Sequence, residues 1–188
     1  LNGSSDTERI LLKAAAGAGK SYALKRMVAE SLKNPNCRRV VVTAFTNKQI
    51  QPLAADLGPI IGKGYVCLFV SKEVLPEIPD AICEVATVVS DYKEVPEHTK
   101  VIIATSHKLG GSVRWLKNVL PPAANGEKLF DVMFVDEAWQ LALHRYREVE
   151  RAAPIAVGVG DVGQLPQLDP GQNPWRGDHR YNPYRAWP

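Results

Sequence analysis

Cysteine is scarce. The 188-residue chain holds only Cys37, Cys67 and Cys83. They are odd in number, lie far apart and form no Cys-x-x-Cys pair, which excludes a zinc ribbon and a disulfide framework. Such residues fit small buried thiols in a reducing, cytoplasmic setting. No apolar run approaches the roughly 20 residues that a membrane helix requires, so no membrane partner is expected. The opening Leu1-Asn2-Gly3-Ser4-Ser5 lacks the basic and apolar regions of a signal peptide. His98, His107, His144 and His179 share no metal-ligand spacing, so no chemistry is assigned to them. A large excess of one charge is also missing. The net charge of +3 permits a polyanionic partner without demanding one.

What is present is enough apolar sequence, 45%, for one domain with a real core. Short β-branched runs alternate with longer helical stretches. Strands are expected at Ile10-Leu11-Leu12, Arg39–Thr43, Tyr65–Val70, Val101–Thr105, Phe130–Val135 and Ile155–Gly160. Helices are expected over about Ser21–Lys33, Lys48–Leu57, Leu109–Val119 and Glu137–Arg151. Strands this apolar are buried on both faces. The alternation predicts an α/β fold, a mostly parallel sheet with helices on both faces. Ligands of such sheets collect at the carboxyl ends of the strands.

Two stretches depart from the alternation. Residues 71–100 carry Pro76, Pro79 and Pro96, and predict a loop-rich excursion with a short helix around Asp80–Val88. Residues 169–188 are rich in proline and aromatics, including Trp175, Tyr181, Tyr184 and Trp187. Proline at that density excludes a helix or central strand. The aromatics predict an extended tail that packs on something.

Ala14-Ala15-Ala16-Gly17-Ala18-Gly19-Lys20-Ser21 follows a strand and opens a helix. Small residues let successive N–H groups curl around phosphate oxygens, and the helix N-terminus adds its positive dipole end. Lys20 then reaches the β- and γ-phosphates and Ser21 ligates Mg2+. Ala16, Gly17, Ala18, Gly19, Lys20, Ser21 and Tyr22 are the candidate ATP-binding residues. A chance alanine and glycine turn is the bland alternative. Val132-Met133-Phe134-Val135-Asp136-Glu137 is an apolar strand ending in two acids, which is costly unless something uses them. The first carboxylate fits Mg2+ and the second fits a base for the attacking water. A helix start, which favours acids, is compatible with both.

At this point the residues resemble a family. Asp136-Glu137-Ala138-Trp139-Gln140 resembles motif II of superfamily-one helicases, and Gly160-Asp161-Val162-Gly163-Gln164-Leu165-Pro166 resembles their motif III. Thr43-Ala44-Phe45-Thr46-Asn47-Lys48 is similar to motif Ia, and Ala104-Thr105-Ser106 to motif Ic. The resemblance spans residues 14–166 and implies a RecA-like phosphate-loop NTPase domain over 1–168. It implies that Lys20, Glu137 and Gln164 are catalytic, with Gln164 sensing the γ-phosphate. Ser21 and Asp136 would hold the metal. Thr43, Phe45, Thr46, Asn47, Thr105 and Ser106 would touch single-stranded DNA or RNA, where hydroxyls and amides meet phosphates and an aromatic stacks on a base. Thr43 and Thr105 are also placed to cap helices, and Phe45 to join the core. Arg38, Arg39, Lys108, Arg114 and Lys117 are candidate phosphate contacts, with scattered surface charge as the commoner alternative.

The sequence departs from the family in four places. Ala14 replaces the first glycine of the loop. Leu1–Arg9 holds no glutamine of the adenine-recognition kind, and Gln167 stands where many members have a second proline. Motifs IV to VI are not in the chain, so a second RecA-like domain is expected as a partner, with the isolated chain weakly active. The leading expectation is the first motor domain of an ATP-dependent helicase or translocase. Two alternatives are an ATP-dependent protein-binding switch without translocation and a small-molecule kinase, the latter disfavoured by motif III.

Overall fold

The computed structural model describes residues 8–15, 17–124, 126–162 and 185–188. Seven strands are described: β1 Arg9–Lys13, β2 Val40–Ala44, β3 Val66–Phe69, β4 Thr87–Val89, β5 Val101–Thr105, β6 Val132–Val135 and β7 Ile155–Gly160. They form one sheet in the order β1-β7-β6-β2-β5-β3-β4, and all the strand pairings among the described residues are parallel. The helices are α1 Lys20–Ser31, α2 Asn47–Ile61, α3 Asp80–Val85, α4 Ser106–Leu116 and α5 Leu143–Val149.

Alternate strand residues feed two cores. Val41, Cys67, Ile102, Met133 and Val135 pack with Leu109 and Leu116 of α4 and Tyr146 and Val149 of α5. Val40, Val42, Leu68, Ile103 and Phe134 pack on the other face with Leu24 and Val28 of α1 and Ile50, Leu53 and Leu57 of α2. The period of two along each strand therefore serves both faces, as a parallel sheet covered by helices requires.

Several expected boundaries move, for physical reasons. α2 runs four residues past Leu57 and through Pro52 and Pro59, because Leu53, Ala54 and Leu57 are buried against the sheet and Gly58 against Val85 of α3, which outweighs the lost N–H donors. The short β4 edge strand replaces the end of the helix expected at Asp80–Val88. The helix expected over Glu137–Arg151 is broken into a 3-10 turn at Ala138–Gln140, α5, and a second 3-10 turn at Glu150–Ala152. Two thiols are sheltered, but Cys83 is exposed, contrary to the expectation of buried cysteines. Burial pushes the Cys37 and Cys67 thiols up to about 12, so both are inert at neutral pH.

Residues 185–188 return to the sheet. Ala186 bridges Ala142, the Trp187 N–H donates to Leu141 O (2.8 Å), and the Trp187 ring stacks on Tyr146 with centroids 4.2 Å apart. The other tail aromatics lie outside the described residues.

Candidate nucleotide site and nucleic-acid groove

The sheet order decides which residues meet. At the carboxyl edge, the loop after β1 lies beside the ends of β7 and β6, then β2, then β5. The Ala14 N–H donates to Gly160 O (3.0 Å), which carries the β1–β7 pairing into the phosphate loop. Gly17 and Gly19 hold φ of 78° and 79°, a region that side chains resist and glycine enters freely. A Cβ on either would meet nothing within 4 Å, so the loop faces open space. Gly19 is the N-cap of α1, and its backbone thus turns the first N–H groups of a 12-residue helix outward. Ser21 and Tyr22 are exposed in the first turn. Ala16 lies outside the described residues.

Lys20, nearly buried at 8% side-chain exposure, brings its Nζ to 3.9 Å from Glu137 Oε1. Asp136 directly follows β6, where its N–H donates to Thr43 O (2.8 Å) and its Oδ1 accepts the Glu137 N–H (3.0 Å). Burial, and then the neighbouring Glu137 carboxylate, push Asp136 up to about 6, against the opposing pull of that N–H and of Lys20. Glu137 itself sits at φ 47°, ψ 49°, the one non-glycine residue with positive φ among those described. Its Oε2 is buried without a hydrogen-bond partner. A backbone in this region is strained by roughly 1–2 kcal/mol for an L-residue.

Two adjacent carboxylates thus share one lysine, and one carboxylate oxygen is orphaned. That charge imbalance fits an added cation. The described residues hold no group of three His, Cys, Asp or Glu side chains that makes a metal cage of its own. The donor set, an exposed hydroxyl of Ser21 and the Asp136 carboxylate, is hard oxygen chemistry of the kind that takes Mg2+ together with substrate phosphates.

One strand further along the sheet edge lies a cleft of about 560 Å³ lined by Phe45, Thr46, Asn47, Ser71, Thr105, His107, Lys108, Gly111 and Ser112. Phe45 is 43% exposed and therefore does not belong to the core. Thr46 is the N-cap of α2, and Thr105 caps α4 by accepting the Lys108 N–H (3.2 Å). Both caps leave their residues at the cleft mouth. Lys108 donates to Ser90 O (2.8 Å) and lies 4.2 Å over the Phe69 ring, and burial lowers its pKa.

Six candidates for strand contact are therefore divided. Phe45, Thr46, Asn47 and Thr105 line the cleft, whereas Thr43 and Ser106 are buried at 0% and 1% exposure and offer no side chain to its surface. Arg38 and Arg39 are corrected more strongly. They sit at the opposite end of the sheet, where Arg39 donates to Thr99 O, Pro121 O and Glu97 O, and Arg38 to Pro122 O. Arg114 lies over the Trp115 ring, and Lys117 follows the far end of α4. Ser71 and His107 also line the cleft, each two residues past the end of a strand, β3 and β5 respectively, a position from which the sequence could have named them. Gly111 and Ser112 carry no signal beyond their place on α4. Gln164 and the rest of the motif III segment beyond Val162 lie outside the described residues.

A parallel sheet with a phosphate loop, an acidic pair two strands along and a cleft beyond it defines the chain as the N-terminal RecA-like domain of helicase type. Residues 2–160 match the family model described as "Type III restriction enzyme, res subunit". The chain belongs to that family, which places it within the helicase superfamily. No curated protein sequence matches it. Among solved structures it resembles the UvsW helicase from bacteriophage T4, at 13% identity and TM-score 0.54, over 82% of this chain and 47% of that one. It also resembles the Type ISP restriction-modification enzyme LlaGI, at 14% identity and TM-score 0.59, over 88% of this chain and 17% of that one. The chain therefore spans less than half the length of either, and at these identities the likeness is one of fold.

Proposed function

We propose that this chain is the ATP-hydrolysing motor domain of a helicase or translocase that acts on single-stranded DNA or RNA, with residues 1–168 as the motor unit. The observation that carries this is adjacency. The Lys20–Asp136–Glu137 cluster and the Phe45–Asn47 cleft lie at one sheet edge, beyond the ends of the neighbouring strands β6 and β2. A nucleotide switch without a strand partner has no use for that cleft, and nothing in the structure favours it. LlaGI, which shares the fold, was solved with a DNA substrate mimic. The free thiols and the lack of a membrane-length apolar helix among the described residues fit action in the cytoplasm.

In this proposal residues 16–22 cradle the triphosphate and Lys20 neutralises its terminal oxygens. Ser21 and Asp136 would hold Mg2+, which when bound supplies charge neutralisation to the phosphates. Glu137 takes the proton of the attacking water, its αL backbone aiming the carboxylate and Lys20 holding one oxygen. Gln164 senses the γ-phosphate. Phe45 stacks on a base, while Thr46, Asn47 and Thr105 contact the strand without selecting a sequence. A second RecA-like domain in the whole protein supplies the opposite wall, and with it arginines worth roughly 10³–10⁵ in rate.

The test is the ATPase rate with and without single-stranded DNA or RNA at one stated low salt concentration. Strand stimulation that disappears in Lys20→Ala is the expected result. Turnover indifferent to every strand, with no strand binding, would remove the motor assignment.

A further inference from the structure

Gln49 is a side chain that the mechanism above does not use. It stands at the third residue of α2, between the two sites. Its Oε1 accepts two backbone N–H groups, from Phe45 (3.1 Å) and Thr46 (2.9 Å). Its Nε2 donates to Gln140 Oε1 (2.9 Å), 91 residues away in sequence. The orientation of the Gln49 amide is unambiguous, because a flipped amide would point NH2 at two N–H donors. Gln140 in turn closes the turn that begins at Glu137, its N–H donating to Glu137 O (2.8 Å). An unbroken chain of hydrogen bonds thus runs from the backbone of Glu137 through Gln140 and Gln49 to the backbone of Phe45.

The two ends of this chain differ in kind. One end is Glu137, held at φ 47° with a buried, unpartnered Oε2. Strain of this sort persists only while its surroundings impose it, so a change in the charge facing Glu137 bears directly on what holds this backbone in place. The other end is the loop whose exposed Phe45 forms the cleft mouth. Coupling between sites requires a two-state element that both sites bias, and the Glu137–Gln140 turn, strained at Glu137 and bonded to Gln49, is the element the geometry offers.

We infer that the Gln49–Gln140 hydrogen bond transmits the state of the nucleotide site to the strand-binding loop at Phe45–Thr46. The inference rests on the proposed motor function. Gln49 and Gln140 act as positioning residues, since neither is placed against phosphate or strand. By reciprocity, the nucleotide must alter strand affinity by the same factor as the strand alters nucleotide affinity.

Two substitutions separate this link from simple stability. Gln140→Met leaves Gln49 free to hold the Phe45 and Thr46 N–H groups, but gives its Nε2 no oxygen. Gln140→Glu gives it a carboxylate oxygen. The measurement is the Kd of a fluorescent single-stranded oligonucleotide for the full-length protein, with and without a non-hydrolysable ATP analogue and Mg2+. The wild-type ratio is expected to differ from one by about fivefold or more. In Gln140→Met it collapses to within about twofold of one, while strand affinity without nucleotide stays at the wild-type value. Gln140→Glu keeps the wild-type ratio. A Gln140→Met ratio equal to wild type, or a Gln140→Glu ratio lost as fully as in Gln140→Met, would overturn the link and leave the motor function standing. A wild-type protein that binds strand equally with and without nucleotide would overturn the link alone, and one that binds no strand would overturn both.

Discussion

At the scale of single residues, the acidic pair does two different jobs in one low-dielectric corner. Asp136 is buried and titrates near 6, whereas a free carboxyl titrates near 3.8. In metal- and nucleotide-free protein its charge therefore opposes folding. The contribution is absent below pH 3.8, where both states are protonated, and stability is lost as pH rises toward about 6. The shift corresponds to roughly 3 kcal/mol as an upper bound. Asp136→Asn keeps an oxygen for the Glu137 N–H and loses the charge. It should raise Tm at pH 7.5 by several degrees, with the gain shrinking toward pH 4, while turnover is abolished. An equal Tm gain at both pH values would rule out desolvation as the cause. Glu137 makes a complementary case. Glu137→Gln should keep nucleotide affinity and lower turnover by about 10²–10⁴. Because Glu137 occupies the left-handed region, Glu137→Gly should also be about 1 kcal/mol more stable than Glu137→Ala in urea titrations. Equal stability of those two variants would show that the backbone there relaxes without strain.

At the scale of elements, the fold was legible wherever chemistry and period agreed. β5 and β7 stand at the residues expected from their apolar runs, and the phosphate loop sits between a strand and a helix as its spacing requires. The failures have a shared origin in contacts between distant parts of the chain. Nothing local in Leu141-Ala142 breaks the helix after Glu137. The break comes from the αL residue before it and from the backbone of residues 185–187, which bonds Leu141 and Leu143. Arg39 is the clearest instance on the site side. A charged residue next to a strand reads as surface, yet Arg39 is 2% exposed and its guanidinium holds carbonyl oxygens from the segments before β5 and before β6. Arg39→Ala should therefore cost about 3 kcal/mol in a denaturant titration, because it strands buried carbonyls. Strand affinity of the folded protein should be unchanged. A strand-binding defect at normal stability would restore Arg39 to the groove.

At the scale of the whole molecule, sequence order and spatial order part company. The strands at the nucleotide end, β1, β7 and β6, come from both extremes of the described chain, and only the pairing pattern brings them together. The point of convergence is Gly158 in β7. A Cβ there would meet Trp187 Cζ3 at 2.7 Å, Leu11 Cδ2 at 2.9 Å and Ala138 Cβ at 3.0 Å. β1, the turn after Glu137 and the returning C-terminal segment thus close over one glycine. Trp187 is 7% exposed and stacks on Tyr146, so Trp187→Ala should cost about 3 kcal/mol. Gly158→Ala should also destabilise, since two of its neighbours are an aromatic ring and a methyl group rooted in packed elements. The two effects should not add. With the indole gone, the tightest contact of the new methyl is removed and part of the vacated space is filled. The double variant should be more stable than the sum of the single effects by about 1 kcal/mol. Urea titration of the four proteins measures that difference. Strict additivity would mean that Trp187 and β7 do not share a packed volume, and that the C-terminal segment lies on the domain without helping to hold its nucleotide half together.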